Sequence, residues 1–207
     1  MRAIEQPSTR ERILAAAAQT LTTKGYAKAH LTEIARVARL QPPAVYHYFS
    51  SRDDLVGAVM REGQLIVRRT VEAALAALPA DAGIGDRLAA AVDAHLRVEL
   101  ELSDFATAVT RNAGQLPPSV RGELAAESRE YHDVWRSLLQ QAEHAGCLHP
   151  DLDVHAGRML VIGALNWATE WRRASTPVDD VVKAAQTFVL GGLLATSLSG
   201  SDLNPRG

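Results

Sequence analysis

Leu31-Thr32-Glu33-Ile34-Ala35-Arg36-Val37-Ala38-Arg39-Leu40-Gln41-Pro42-Pro43-Ala44-Val45-Tyr46-His47-Tyr48-Phe49-Ser50-Ser51-Arg52-Asp53-Asp54-Leu55 reads as two short helices running up to a third, longer one. Ile34, Ala35 and Ala38 recur at helical spacing and are expected to face inward. Thr32 is a strong capping residue and is expected to start their helix. A tight turn over residues 39–41 leads to Pro42. Proline is tolerated in a first helical turn because its missing N–H would be unpaired there anyway. That helix is expected to reach Tyr48. Ser51 and Asp54 then cap a long helix over residues 52–78, whose inner face includes Val56, Val59, Met60, Val67 and Val71.

Toward the N-terminus, Ser8 with Glu11 forms a capping-box pair, and Gly25 suits the left-handed stop of a helix over Thr9–Lys24. Ile13, Leu14, Ala17 and Leu21 make its apolar stripe. Three short helices, the last two joined by a tight turn, define a helix-turn-helix. In such a unit the third helix enters the DNA major groove and its first residues approach base edges.

Toward the C-terminus, residues 79–85 form a break. Helices are expected at about 86–102, 104–112, 118–145, 154–173 and 178–198, with Thr176 and Asp179 as a further capping-box pair. No alternating strand pattern appears, so the fold class is all-α. The division expected is a DNA-binding unit at 1–55, joined by the long fourth helix to a ligand-binding and dimerisation domain at 56–207. The last two helices are apolar on more than one face, through Val161, Ile162, Leu165, Trp167 and Trp171 in one and Val181, Val182, Phe188, Val189, Leu193 and Leu194 in the other. Such helices must be covered on several sides, which a homodimer interface achieves.

The bulk numbers agree. Apolar residues are 47% and charged residues 22% of the 207, the balance of a globular chain. Residues 1–55 carry a formal charge of +3 and the remainder −5, so the head is the part expected to meet a polyanion. Cys147 is the one cysteine, which excludes an intrachain disulfide and fits a cytoplasmic location. The polar opening residues do not read as a secretion signal, and no apolar run approaches the roughly 18 residues of a membrane span. Nucleotide-loop and nucleophile-elbow signatures are absent, so no enzyme activity and no cofactor are expected. His144, Cys147, His149 and His155 crowd one corner, but their spacing matches no zinc pattern and no metal is expected. The rival reading is a small helical ligand-binding protein or enzyme without DNA binding. Steep salt dependence of binding to non-specific duplex would separate the two.

Leu31-Thr32-Glu33-Ile34-Ala35, followed by Tyr46-His47-Tyr48-Phe49-x-Ser51-Arg52-x-x-Leu55, resembles the signature of the TetR family of bacterial repressors, and the match covers about residues 8–55. The resemblance implies that Thr32 holds a phosphate through its hydroxyl and its helix-start N–H. It implies that Tyr46 donates its phenol to a phosphate with His47 on the same outward side. Arg52, standing where the family usually has Lys, would neutralise a phosphate. Phe49 and Leu55 would be core. Around the turn the chain departs from the family pattern, which commonly has Gly before the third helix and a small polar cap. Here Arg39 is expected to add a phosphate contact, Gln41 to read adenine or a phosphate, and Pro43 and Ala44 to offer apolar contact to a thymine methyl. The operator therefore cannot be transferred from relatives.

A second resemblance runs from Asn112-Ala113-Gly114-Gln115-Leu116-Pro117-Pro118 through Tyr131…Trp135 and His149-Pro150-Asp151-Leu152-Asp153 to Gly163-Ala164-Leu165-Asn166-Trp167-x-x-x-Trp171-Arg172. It is similar to a branch of the TetR family whose members often sense acyl-CoA thioesters, although Trp171-Arg172-Arg173-Ala174 replaces that branch's common Trp-Tyr-x-Pro. The resemblance implies a repressor that binds a palindromic double-stranded operator as a dimer and is released by an apolar or acyl-CoA effector. Tyr131 and Trp135, and Trp167 and Trp171, are spaced to share helix faces. These four aromatics either line a cavity or fill the core. Asn166 and Glu170 accompany them, and Arg111, with Arg172 and Arg173, is expected at a pocket mouth. His95 and His132 either contact ligand or sit satisfied inside.

Overall fold

A computed structural model describes residues 7–195. Nine α-helices run in order among these residues: α1 (Thr9–Lys24), α2 (Leu31–Val37), α3 (Pro42–Tyr48), α4 (Arg52–Ala76), α5 (Ile84–Arg97), α6 (Asp104–Asn112), α7 (Pro118–His144), α8 (Val154–Trp171) and α9 (Val178–Leu193). α9 stops at Leu193, and the expected continuation to Leu198 falls outside the described residues.

The expected capping box opens α1. Ser8 Oγ accepts from the Glu11 N–H, and the Glu11 carboxylate accepts from the Ser8 N–H at 2.7 Å. Ser51 likewise accepts from the Asp54 N–H at 3.0 Å at the start of α4. Two cap expectations need correction. α2 begins two residues early, at Leu31, because Leu31 is drawn into the core, and His30 rather than Thr32 is its cap. At α9 the Thr176–Asp179 box does not form. The Asp179 carboxylate is taken instead by Arg97 of α5 at 2.6 Å.

Two cores stack along α4. The first gathers Ile13, Leu21, Ile34, Val45, Phe49 and Leu55 from the head, then extends to Met60 on α4, Ala108 on α6 and Val120 and Leu124 on α7. The second joins Val67 and Val71 of α4 to α5, α7, α8 and α9. α4 therefore belongs to both cores, and the head is seated on α6 as well as on α4. Gly63 sets how closely α4 and α6 approach. A Cβ there would lie 2.6 Å from Val109 Cγ2 and 2.7 Å from the Phe105 carbonyl carbon, closer still to the carbonyl oxygen.

α5 does not end as a plain helix. Its last turn widens into a π-turn over Val98–Leu102, and Ser103 then caps α6. π-turns are rare and tend to mark functional positions. After α9, the Ala195 N–H donates to Cys147 O and the His149 N–H to Leu193 O, both at 2.9 Å, with Leu148 and Leu194 forming an isolated antiparallel bridge.

Candidate functional site

The turn between α2 and α3 is made by Arg39 at φ 57, a left-handed conformation that favours glycine. The Arg12 guanidinium braces it from α1 by donating to Ala38 O at 2.8 Å. α3 is consequently held with Val45 and Phe49 buried and the opposite face open. Tyr46 is 58% exposed, and Gln41, Pro43 and His47 are exposed beside it. Ala44 is half-buried, while Thr32 and Arg39 are exposed on the neighbouring segment. His47 and Tyr48 meet edge to face, ring centres 5.2 Å apart, which limits the imidazole's freedom.

Arg52 occupies a different place from the one its resemblance implied. Its Nε donates to Ala29 O at 3.0 Å, its Nη2 donates to Tyr26 O, and its guanidinium lies over the Tyr26 ring, 4.1 Å from the centroid. Tyr26 in turn donates its hydroxyl to Asp53 at 3.0 Å. The side chain thus ties α4 to the segment between α1 and α2, inside the head.

A cavity of about 270 Å³ lies in the second core. Gln64 and Val67 of α4, His95 of α5 and Glu99 of the π-turn form one part of its wall, and α6, α7 and α8 close the rest. Of the aromatics expected to share one space, the structure brings together only Tyr131 and Trp167, and Asn166 lines the same cavity. Trp135 is fully enclosed in the core, and Trp171 is 53% exposed on the outer side of α8. A neighbouring apolar groove of about 330 Å³ between α8 and α9 is lined by Trp167, Trp171 and Phe188.

Arg111 and Glu170 are also displaced from their expected roles. Arg111 Nε pairs with Glu170 Oε1 at 3.2 Å, while its two terminal nitrogens donate to Thr22 O on α1 and Thr169 O on α8. The pair joins head to body and does not line the cavity. Next to it, buried Asn112 accepts from the Tyr26 N–H at 2.7 Å and donates to Leu21 O and Ala108 O at 3.3 and 2.8 Å. Arg172 donates to Thr176 O at 3.0 Å.

His95 is fully buried, and its Nδ1 lies 2.5 Å from the Tyr131 hydroxyl. Desolvation pushes the imidazole down to about 4, with a contact from Asn166 opposing. Burial also raises Glu99 to about 7, against the pull of the neighbouring Thr110 hydroxyl. It pushes the Tyr131 phenol well above its ordinary value. Glu99 escaped the sequence reading. Its signal was an acid four residues after His95 in the otherwise apolar run Val98-Glu99-Leu100, set where a solvent-facing charge has no room.

Residues 13–59 match the family of bacterial regulatory proteins, tetR family, and residues 81–193 match the tetracyclin repressor-like C-terminal domain. A curated relative, the HTH-type transcriptional activator FasR of Mycolicibacterium smegmatis, is 26% identical over 198 residues, spanning 93% of this chain and 86% of that protein. A solved tetR-family regulatory protein from Rhodococcus RHA1 superposes with a TM-score of 0.81 at 22% identity, covering 92% of this chain and all of the other. AibR, solved in complex with isovaleryl coenzyme A and operator DNA, gives 0.77 at 20% identity over 87% of this chain and 97% of its own. No described helix is long and apolar enough to cross a membrane.

Proposed function

The chain is a transcriptional regulator belonging to the tetR family, and on that premise we propose that it is a cytoplasmic, dimeric repressor released from a palindromic operator by an apolar or acyl-CoA effector, without catalysis. The observation that carries the DNA half is the orientation of α3. Its apolar residues are consumed in the head core, and Gln41, Pro43, Tyr46 and His47 are left on one open face. In this reading Thr32, Arg39 and Tyr46 contact phosphate, Gln41 reads a base edge, Pro43 and Ala44 make apolar contact, and His47 supports the same face. Arg52 acts by holding the head in shape. Tyr46→Phe should weaken binding to all operator variants alike, because it removes a phosphate contact. Gln41→Ala should reorder them. If both variants bind a selected operator as tightly and as selectively as wild type, α3 is not the reading helix.

The dimer is proposed through α8 and α9, where Leu160 is 71% and Phe188 69% exposed beside Trp167 and Trp171. Exposed Gly191 and Gly192 allow close backbone approach there. Two heads must reach successive major grooves about 34–36 Å apart. Phe188→Asp would bury an unpaired charge and should shift the protein to monomer in sedimentation. A wild type that is monomeric at micromolar concentration refutes the interface.

The cavity is proposed as the effector site, served by Tyr131, Asn166 and Trp167. Arg111 and Glu170 relay its state to the head as a link, and Trp135 and Trp171 support it from the core and the outer face. Release follows if the effector binds more tightly to the conformation that does not fit the operator. Titration of long-chain and ring-bearing acyl-CoAs, with free CoA and free acids as controls, should quench tryptophan fluorescence and free labelled operator in parallel. An effector that tightens operator binding overturns the release mechanism.

A further inference from the structure

The cavity wall carries polar atoms that the fold itself leaves without partners. His95 Nε2, Glu99 Oε2 and Gln64 Oε1 are buried and have no hydrogen-bond partner within the described protein, and all three residues line the same space. His95 is fully enclosed and Glu99 is 4% exposed. Buried polar atoms are nearly always paired, so three stranded together from two segments mark a place kept for something else. His95 and Glu99 are four residues apart across the α5–π-turn junction, which places them one above the other on one wall.

The protons can be assigned. Enclosure keeps the imidazole neutral, so it carries one N–H. The Tyr131 hydroxyl has no other acceptor among the described residues, so it donates to His95 Nδ1 and the ring proton sits on Nε2, the buried nitrogen left without a partner. Glu99 Oε2 and Gln64 Oε1 stand ready as acceptors, and a protonated Glu99 can also donate. No lysine or arginine lines the cavity, and burial, with Arg158 and Arg136 nearby, disfavours the charged form of His132 on its wall, so a buried anion would be poorly neutralised there.

We propose that the effector bears an uncharged oxygen, hydroxyl or keto, on its apolar body, and that this oxygen docks between His95 and Glu99. A hydroxyl accepts from the His95 N–H and donates to Glu99. A keto oxygen accepts from both when Glu99 holds its proton. A plain alkyl group would seal the polar atoms from water and leave them unpaired, which is how such sites reject the analogue lacking the oxygen. The inference rests on the effector reading of the cavity, and the experiment separates the two.

The full-length protein on a selected operator is titrated with hexanoyl-, octanoyl- and decanoyl-CoA and with the 3-hydroxy and ω-hydroxy counterpart of each, by calorimetry and operator release. At least one hydroxylated member should bind about tenfold or more tightly than its parent. Glu99→Leu and His95→Phe should bring that ratio to one, while Glu99→Gln, uncharged and still hydrogen-bonding, should keep it. Parents that bind as tightly as every hydroxylated member, or a preference unmoved by Glu99→Leu, overturn the oxygen site and leave the effector reading standing. If no thioester binds or frees the operator, the acyl-CoA form of the effector reading falls and this inference with it.

Discussion

Replacing Gly63 by alanine adds one methyl group where α4 meets the Phe105 carbonyl and the Val109 side chain of α6. The new Cβ would stand 2.6 Å from Val109 Cγ2 and 2.7 Å from the Phe105 carbonyl carbon. Carbon–carbon contacts settle near 3.5–4.0 Å, so the helices must separate by about 1 Å. The obstacle is main chain and cannot rotate away. Overpacking of this kind costs about 1–3 kcal/mol, and a rigid carbonyl belongs in the upper half of that range. Against it stands the gain of about 0.5–1 kcal/mol that alanine brings to a helix interior. The net expectation is a loss of about 1–2.5 kcal/mol. Gly122→Ala on α7 is the matched control, since nothing lies within 4 Å of its added Cβ, and it should gain about 0.5–1 kcal/mol. Urea unfolding followed by circular dichroism, at one protein concentration because dimerisation feeds into apparent stability, reads both. The two substitutions should move the midpoint in opposite directions at unchanged slope. A Gly63→Ala protein as stable as wild type would refute the close approach of α4 and α6.

Other substitutions probe the turn, the joint and the cavity. Arg39→Gly relieves a left-handed residue and should stabilise the head by about 0.5–1 kcal/mol after the unfolded-chain entropy is deducted, seen as a raised urea midpoint; a lowered midpoint would show that Arg39 is not strained. Asn112→Ala leaves the Tyr26 N–H without its acceptor and should cost about 1–3 kcal/mol in the same assay. Glu99 is raised from 4.5 to about 7 on folding, so between those values the unfolded chain binds fewer protons and stability falls as pH rises. Glu99→Gln should therefore gain on wild type across pH 4.5–7, and a constant difference would count against a buried carboxyl. His95 runs the other way: lowered to about 4, it withdraws stability as pH falls from 6.5, and His95→Phe should remove that acid-side slope.

The head was legible because its apolar positions keep helical spacing and its caps and turn are local. The same locality explains the small errors. Thr32 is a better cap than His30 by residue type, but burial of Leu31 decides where α2 starts. The body was legible only as helices. Trp167 and Trp171 do share a face as their spacing requires, yet in a helix apolar nearly all round, spacing does not reveal which face looks inward. Trp135 and Tyr131 show the same limit on α7: only the tyrosine reaches the cavity. Arg111 looked like a free cation because its partners, Thr22 O and Thr169 O, are main-chain atoms with no trace in residue identity. The π-turn that carries Glu99 has no sequence signature at all.

The fastening of head to body has an evolutionary consequence. Asn112 grips Leu21 O and the Tyr26 N–H, and Arg111 grips Thr22 O. On the head side each of these bonds ends on the polypeptide backbone, which every amino acid supplies. The reading helix and most side chains around it are thus free to drift toward a new DNA sequence without loosening these bonds. A lineage of such proteins can exchange addresses on the chromosome while keeping one sensor, and a head transplanted from a relative should arrive already wired, provided α1 ends at the same place.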